Sequence, residues 1–442
     1  MGISNKKSIA VVGGGMLGMT AALALAKRNN YRVTLLEKND MLGGLSTYFS
    51  YENASIDKYY HVILPQDTAL LELFSDINIS KNLYWVKTRS GFFGDNRLAS
   101  LSSVLDFATF PFLNPWHKLR LVTGILYSVT LKNSDILDTV PVTEWLKKIF
   151  GTGVYESIWL PLLKSKLGTA YNKASASFIW STIRRLYGAR ESGKKEEKMG
   201  YIKGGYRSVL NEFEDSLTKS GVIIKKKHDV SKIDPDNMKI SYRSGGDKPE
   251  TYDSILLTVP SPIVEQLIDV SQSSPVMNDI LDTHYLGLVC VVILLRRSLS
   301  SYYVINLLDQ ELPFTGVIES TNIVQPSHVG GYHVVYLPKY MPTEELSGVG
   351  NDEEIIRTYL AGLKKIFKDL EDNDIIKCFV FREKFIQPVQ TPGYCKKSFS
   401  FNTAYENIFI ANSAMLFNTT LNNNAIVILG KKAADAVINK IS

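Results

Sequence analysis

Residues 9–26, IAVVGGGMLGMTAALALA, constrain the fold more than any other stretch. Four apolar residues lead into a cluster of glycines, and an Ala- and Leu-rich run follows. The pattern predicts a buried strand, a glycine turn and an amphipathic helix. Gly13, Gly15 and Gly18 fit G-x-G-x-x-G. The first glycine permits the turn, and the second lets a pyrophosphate approach the backbone. The third lets helix and strand pack closely. Met16 and Leu17 open the helix, whose free N–H groups and positive dipole end suit phosphates. A second strand, Tyr31 to Leu36, ends at Glu37. That acid lies about 20 residues past the turn, where it can accept hydrogen bonds from a ribose hydroxyl. A βαβ unit that binds nothing is the alternative. A strand before, a helix after and an acid at this distance favour the dinucleotide site.

The chain has 442 residues, too many for one compact core, so two or more domains are expected. Its hydrophobic fraction of 45% and charged fraction of 21% are those of a globular protein. The net charge of +6 is mild for this length and gives no reason to expect nucleic acid. The three cysteines, Cys290, Cys378 and Cys395, form no CxxC pair, and the six histidines form no H-E-x-x-H. No metal site is therefore expected, and a reducing, cytoplasmic location is. Neither a signal peptide nor a membrane-spanning run of about 20 apolar residues is legible.

A second glycine pair, Gly43-Gly44, follows Glu37 and Lys38. Such a pair lets backbone lie flat against a large planar or phosphorylated ligand. With the first motif, its spacing favours a flavin over a nicotinamide. On these residues the chain resembles the flavoprotein superfamily of amine oxidases, protoporphyrinogen oxidases, phytoene desaturases and UDP-galactopyranose mutases. There the first glycine motif, an acid and a G-G-x-x-[ST] segment wrap one FAD. The matching residues here are Gly13, Gly15, Gly18, Glu37, Gly43, Gly44 and Ser46 or Thr47. Leu45 stands where the family often has arginine, so Lys38 or backbone groups are expected to meet the phosphates.

The resemblance implies more of the site. A D-x-G-x-H turn passes near the flavin ring in the family, and here Asp57 and His61 are kept, with Tyr59 in place of glycine. His61 is thus the candidate catalytic residue, a proton donor or substrate contact; a structural histidine is the alternative. Gly204-Gly205 marks a return to the FAD domain, and Val230 matches a backbone contact to adenine. Asn412-Ser413 occupies the place of a G-D pair on the ribityl chain and can hydrogen-bond hydroxyls without the charge. The last helix, starting near Asn424 and Ala425, would aim its N-terminus at the flavin pyrimidine.

The remaining segments say less. Residues 104–127 are rich in aromatic and apolar side chains, with Lys118 and Arg120 interleaved. They read either as a helix pair facing membrane or lipid, or as helices packed in a core; the second is our expectation. Trp159-Leu160-Pro161-Leu162-Leu163 loosely resembles a protoporphyrinogen-oxidase-like pattern. The charged stretch from Arg184 to Lys198 reads as a solvated helix end or loop. Glu319 and Asn322 read as loop polarity or as substrate contacts.

The expected architecture is α/β: a Rossmann-like FAD-binding domain with an interleaved α+β substrate domain. Residues 1–63, 200–260 and 386–442 would form the first, and 64–199 and 261–385 the second. The expected function is hydride transfer from a small organic substrate to FAD. One alternative is a mutase-like flavoenzyme with no net redox change, acting on a nucleotide sugar; another is a non-enzymatic binder of prenylated protein with the same fold. A lipid-linked substrate and peripheral membrane contact also stand as expectations.

Overall fold

The computed structural model describes residues 6–132, 135–188, 198–246, 248–268, 278–279, 282–397 and 400–441. Its first elements are β1 (Lys7–Val12), α1 (Met16–Ala26) and β2 (Tyr31–Leu36), the βαβ unit expected from the sequence. Strands β1 and β2 pair in parallel, with Val12 opposite Leu36. On its other side β1 pairs in parallel with Ser254–Leu257. Ile408–Ile410 and Ile223–Lys225 complete a five-stranded parallel sheet, the latter beside β2. Segments hundreds of residues apart therefore sit side by side, as the resemblance implied.

Helix α1 is buried nearly all round, which suits its run of Ala, Leu and Met rather than the amphipathic pattern expected. One neighbour is the final helix, Asn423–Ile441. They meet closely because Gly430 has no side chain: a Cβ there would lie 2.9 Å from the Leu17 carbonyl oxygen.

A second, seven-stranded sheet is mixed. Its order is Ile375–Pro388, Tyr285–Leu295, His333–Pro342, Gly316–Glu319, Val304–Leu307, Ser90–Gly94 and Arg97–Ser100. Every residue of Tyr285–Leu295 is buried, so its unbroken Val, Ile and Leu run is that of a central strand. The hairpin at 90–100 joins this sheet through a parallel pairing with Val304–Leu307. Most of the helices within residues 64–199 form a separate layer with its own core, including Trp145, Phe150, Phe178 and Trp180.

Packing corrects one sequence expectation and decides between two readings of another. Arg185 is no solvated helix end. It makes a two-pronged ion pair with Asp67, at 2.7 and 3.0 Å, and the Asp67 side chain is 1% exposed. The rest of that charged stretch, residues 189–197, lies outside the described residues. Glu319 does not face a substrate either. Its carboxylate accepts hydrogen bonds from Ser298 Oγ and the backbone N–H groups of Leu299 and Ser300. The Asn322 amide donates to the carbonyls of Ser300 and Tyr302. Both side chains hold one turn.

Candidate active site

The glycine turn is built almost wholly from backbone. Gly13 has φ +111°, a conformation L side chains rarely adopt. Thr258 closes the turn, its hydroxyl donating to the carbonyl of Val12 or Gly13 at 2.9 and 3.0 Å. A Cβ on Gly18 would lie 1.9 Å from the Gly13 carbonyl oxygen, so the third glycine is a packing requirement. Gly15 differs. A Cβ there would meet only Gly44 Cα, at 3.9 Å. Gly15 and Gly43 form an isolated parallel bridge, and Gly43 N donates to Gly14 O at 2.8 Å. The two glycine motifs thus face each other backbone to backbone, leaving a side-chain-free cradle at the start of α1.

Glu37 stands beside this cradle, buried, and its carboxylate already has partners. One oxygen accepts from Gly14 N at 2.8 Å, and the other from the backbone and side-chain amides of Asn39 at 2.9 Å. It ties the exit of β2 to the turn and keeps lone pairs for a ribose hydroxyl. Lys38 is exposed, and its charge acts on Glu383 of the seven-stranded sheet. Met16 and Leu17 are buried in the first turn of α1. Val230 is buried in the strand Asp229–Asp234, at a break in its pairing register.

The other end of the site is a cluster of side chains. Asp57 ends the strand Ala54–Asp57, and its carboxylate caps the helix Gly205–Lys219 by accepting from Tyr206 N at 3.0 Å. The Tyr201 hydroxyl donates to its other oxygen at 2.7 Å. Burial pushes the Asp57 pKa up to about 6, against the opposing pull of these two donors. His61 lies four residues on. Its ring meets Tyr206 with centroids 4.5 Å apart, and its Nε2 is 3.2 Å from the Leu45 carbonyl oxygen. A carbonyl only accepts, so Nε2 carries the proton and Nδ1 keeps its lone pair. Burial pushes the His61 pKa down to about 4, leaving the ring neutral at pH 7.

Asp57 and His61 line one small cavity with Tyr60, Tyr201, Tyr303 and Tyr336, and no Lys or Arg is among its described lining residues. The Tyr336 hydroxyl donates to the Asp57 carbonyl at 2.7 Å, and the Tyr60 and Tyr340 hydroxyls lie 2.9 Å apart. Burial raises the pKa values of Tyr60, Tyr201 and Tyr336 well above the ordinary phenol range, so these groups stay protonated.

The final helix closes the site. Asn422 caps it, accepting from Ala425 N at 3.0 Å. Asn423 Nδ2 donates to the Tyr206 hydroxyl at 2.7 Å and lies 3.3 Å from Ser46 Oγ, joining the second glycine segment to the aromatic cluster. Asn424 Oδ1 accepts from Leu70 N at 3.1 Å, so this side chain turns toward the helix Thr68–Asp76. Asn412 also departs from expectation. Its amide donates to Val259 O or Ser261 Oγ and accepts from Ala414 N, and the residue is 2% exposed. A short polar side chain after a buried strand is drawn into closing the next turn. Ser413 is the more exposed of the pair.

The family model for flavin containing amine oxidoreductases matches residues 17–438. The chain belongs to this family. Among solved structures it is similar to a putative protoporphyrinogen oxidase from Exiguobacterium sp. 255-15. The TM-score is 0.75 at 17% identity, covering 98% of this chain and 99% of that one. It is also similar to a reduced UDP-galactopyranose mutase, with TM-score 0.72, 16% identity and coverage of 98% and 94%. Among curated proteins, the carotenoid phi-ring synthase of Chlorobaculum tepidum is 33% identical over 86 residues. That match covers 19% of this chain and 13% of the synthase's length.

The cofactor of this flavin oxidoreductase is FAD. The residues present fit it: among the described residues no side chain lies within 4 Å of a Cβ placed on Gly15 or Gly44, beside a helix N-terminus. Sequence reasoning missed Asn39, Tyr206 and Asn423. Tyr206 directly follows Gly204-Gly205, so its signal was adjacency to a motif. Asn39 and Asn423 carry no signal beyond being polar near glycines or a helix start.

Proposed function

We propose that this chain is an FAD-dependent oxidoreductase in which an organic substrate loses a hydride to the flavin. FAD, when bound, supplies the hydride acceptor. The observation that carries the reading is the enclosed cluster of His61, Asp57 and four tyrosines at the ring end of the glycine cradle. In the proposed site Gly13, Gly15, Met16, Leu17, Gly18, Gly43 and Gly44 hold the phosphates, and Glu37 the ribose. Leu45, Ser46, Ser413 and the start of the final helix at Asn424 and Ala425 surround the rest. The domain division at 63, 200, 260 and 386 follows from this placement.

The Tyr201 and Tyr336 hydroxyls donate their hydrogen bonds to Asp57, so what they offer a substrate heteroatom is uncharged oxygen lone pairs. His61 Nδ1 can accept a proton from the substrate's heteroatom as the adjacent carbon gives up its hydride, although a pKa of about 4 makes it a modest base. The packed apolar walls, including Ile56, Ile323 and Val334, keep bulk water from the reacting carbon.

A mutase-like reaction on a nucleotide sugar would ask for cations to hold a diphosphate. The described lining of this cavity has none, which favours the oxidoreductase reading. The test is anaerobic mixing of the yellow, FAD-loaded protein with amines, protoporphyrinogen or UDP-galactopyranose. Bleaching of the flavin absorbance by an amine or porphyrinogen is the expected result. Isomerised sugar after dithionite reduction, with no bleaching by any reductant substrate, would establish the mutase instead. A protein that takes up no FAD would sink both.

A further inference from the structure

The helix Pro115–Thr130 belongs to the helical layer, and its outward face is the reverse of what a water-facing helix shows. Its exposed positions are Pro115, Trp116, Leu119, Val122, Thr123, Leu126, Tyr127 and Thr130. None is charged. At 3.6 residues per turn they fall on one side, opposite the buried Leu121, Gly124 and Ser128. Trp116 is 64% exposed and Leu119 53%. The helix before it, Val104–Thr109, adds Val104 at 69% and Leu105 at 72%. The two are joined where Lys118 Nζ donates to the Ala108 carbonyl at 2.6 Å. Our expectation of core-packed helices from composition is therefore wrong for this face.

Charge identifies what would cover it. From Phe107 to Ser134 the sequence has no acidic residue, while His117, Lys118, Arg120 and Lys132 lie within it. Lys118 and Arg120 fall at the two margins of the apolar face by helical spacing. One N–H of each bonds a backbone carbonyl, Ala108 for Lys118 and Phe150 for Arg120. The neighbouring acid, Asp106, is engaged in its own helix cap with Ser100, Ser102 and Ser103. An apolar face with Trp and Tyr, flanked by cations and free of acids, is the chemistry of a surface helix on anionic lipid. Among the described residues no helix is long and apolar enough to cross a membrane, so the contact is peripheral.

We propose that the outward face of Pro115–Thr130, with Val104 and Leu105, docks on the surface of an anionic lipid bilayer. This does not depend on the reaction the flavin performs. The test is flotation of the full, FAD-loaded chain with phosphatidylcholine vesicles, with or without about 30% phosphatidylglycerol. The result expected is flotation with the anionic vesicles that weakens as salt rises. The Leu119→Glu/Leu126→Glu variant should float about tenfold less, with its flavin spectrum and melting temperature unchanged. The Lys118→Gln/Arg120→Gln variant should lose the preference for phosphatidylglycerol but keep weak binding. Three outcomes overturn the proposal. One is no flotation by the wild-type chain. Another is flotation that the Glu variant leaves intact. The third is a concentration-dependent dimer, abolished by the Glu variant, in a chain that ignores vesicles; this face would then join two copies.

Discussion

The two ends of the candidate site are built differently. The phosphate end is backbone: five glycines at fixed spacing, a bridge between Gly15 and Gly43, and one threonine hydroxyl closing the turn. The ring end is side chains: His61, Asp57, Tyr201, Tyr206 and Asn423, from three separated segments. Backbone cradles tolerate change in an all-or-none way, because an added Cβ either clashes or does not. Side-chain clusters respond in degrees, since each hydrogen bond contributes about 1 kcal/mol.

The largest effect should separate two glycines of the same motif. Gly18→Ala puts a Cβ 1.9 Å from the Gly13 carbonyl oxygen. It should cost more than about 4 kcal/mol of stability, read as loss of cooperative melting in the purified chain. At Gly15 a Cβ makes only an ordinary van der Waals contact, 3.9 Å from Gly44 Cα, and φ is an ordinary −71°. The Gly15→Val apoprotein should therefore melt within about 3 °C of wild type, yet FAD titration should show no retained flavin. A yellow Gly15→Val protein would overturn the placement of the phosphates.

Next comes the ion pair that fastens the His61 segment to the helix Ala176–Gly188. Arg185→Met leaves the buried Asp67 carboxylate unpaired and should destabilise by about 3–5 kcal/mol in urea melts. Adding Asp67→Asn should recover part of the loss. If the double variant is no better than the single, the pair matters through packing and not charge.

Acid pH should expose the ring end's two titratable groups. Asp57 has a folded pKa of about 6 against an ordinary 3.8, so it binds its proton more tightly when folded. Its contribution falls as pH rises from 3.8 to about 6, by up to about 3 kcal/mol. His61, at about 4 against 6.5, does the reverse: stability is lost as pH falls from 6.5 to about 4, by a similar amount. The two nearly cancel in the wild type. Relative to wild type, Asp57→Asn should lose stability on acidification across this window, and His61→Gln should gain it. Parallel pH profiles for all three proteins would show that neither group is as enclosed as the geometry says.

The smallest effect belongs to the helical layer's outward face. Leu119→Glu should change stability by less than about 0.5 kcal/mol, because Leu119 is already 53% exposed. A larger loss would mean the face is covered within the folded chain.

The legibility of these regions follows their construction. The glycine turn, α1 and Glu37 were readable because the contacts that define them, Gly18 on Gly13 and Glu37 on Gly14, lie within about 25 residues and each residue type has one structural reason. The long buried strand at 285–295 was readable from its unbroken apolar run. The aromatic cluster was not, beyond Asp57 and His61, because tyrosines occur throughout this chain and nothing local marks those that converge. Asn412 misled for a related reason. A short amide can bond a ligand or its own turn, and only the position of Val259 and Ser261 beside it decides. Residues 104–127 misled because an apolar helix face looks the same whether it meets a core or nothing.

The sequence by itself determined the βαβ unit and its glycine cradle, since turn geometry and helix start are short-range consequences of residue type and spacing. Through the recurrence of glycine pairs near 43 and 204 it also raised the expectation that distant segments share one site. Tertiary structure alone decided which polar side chains face that site and which are consumed in holding turns. It also decided that one apolar helix face lies outermost. Hydrogen-bond partners and burial depend on neighbours hundreds of residues away, and no local pattern encodes them.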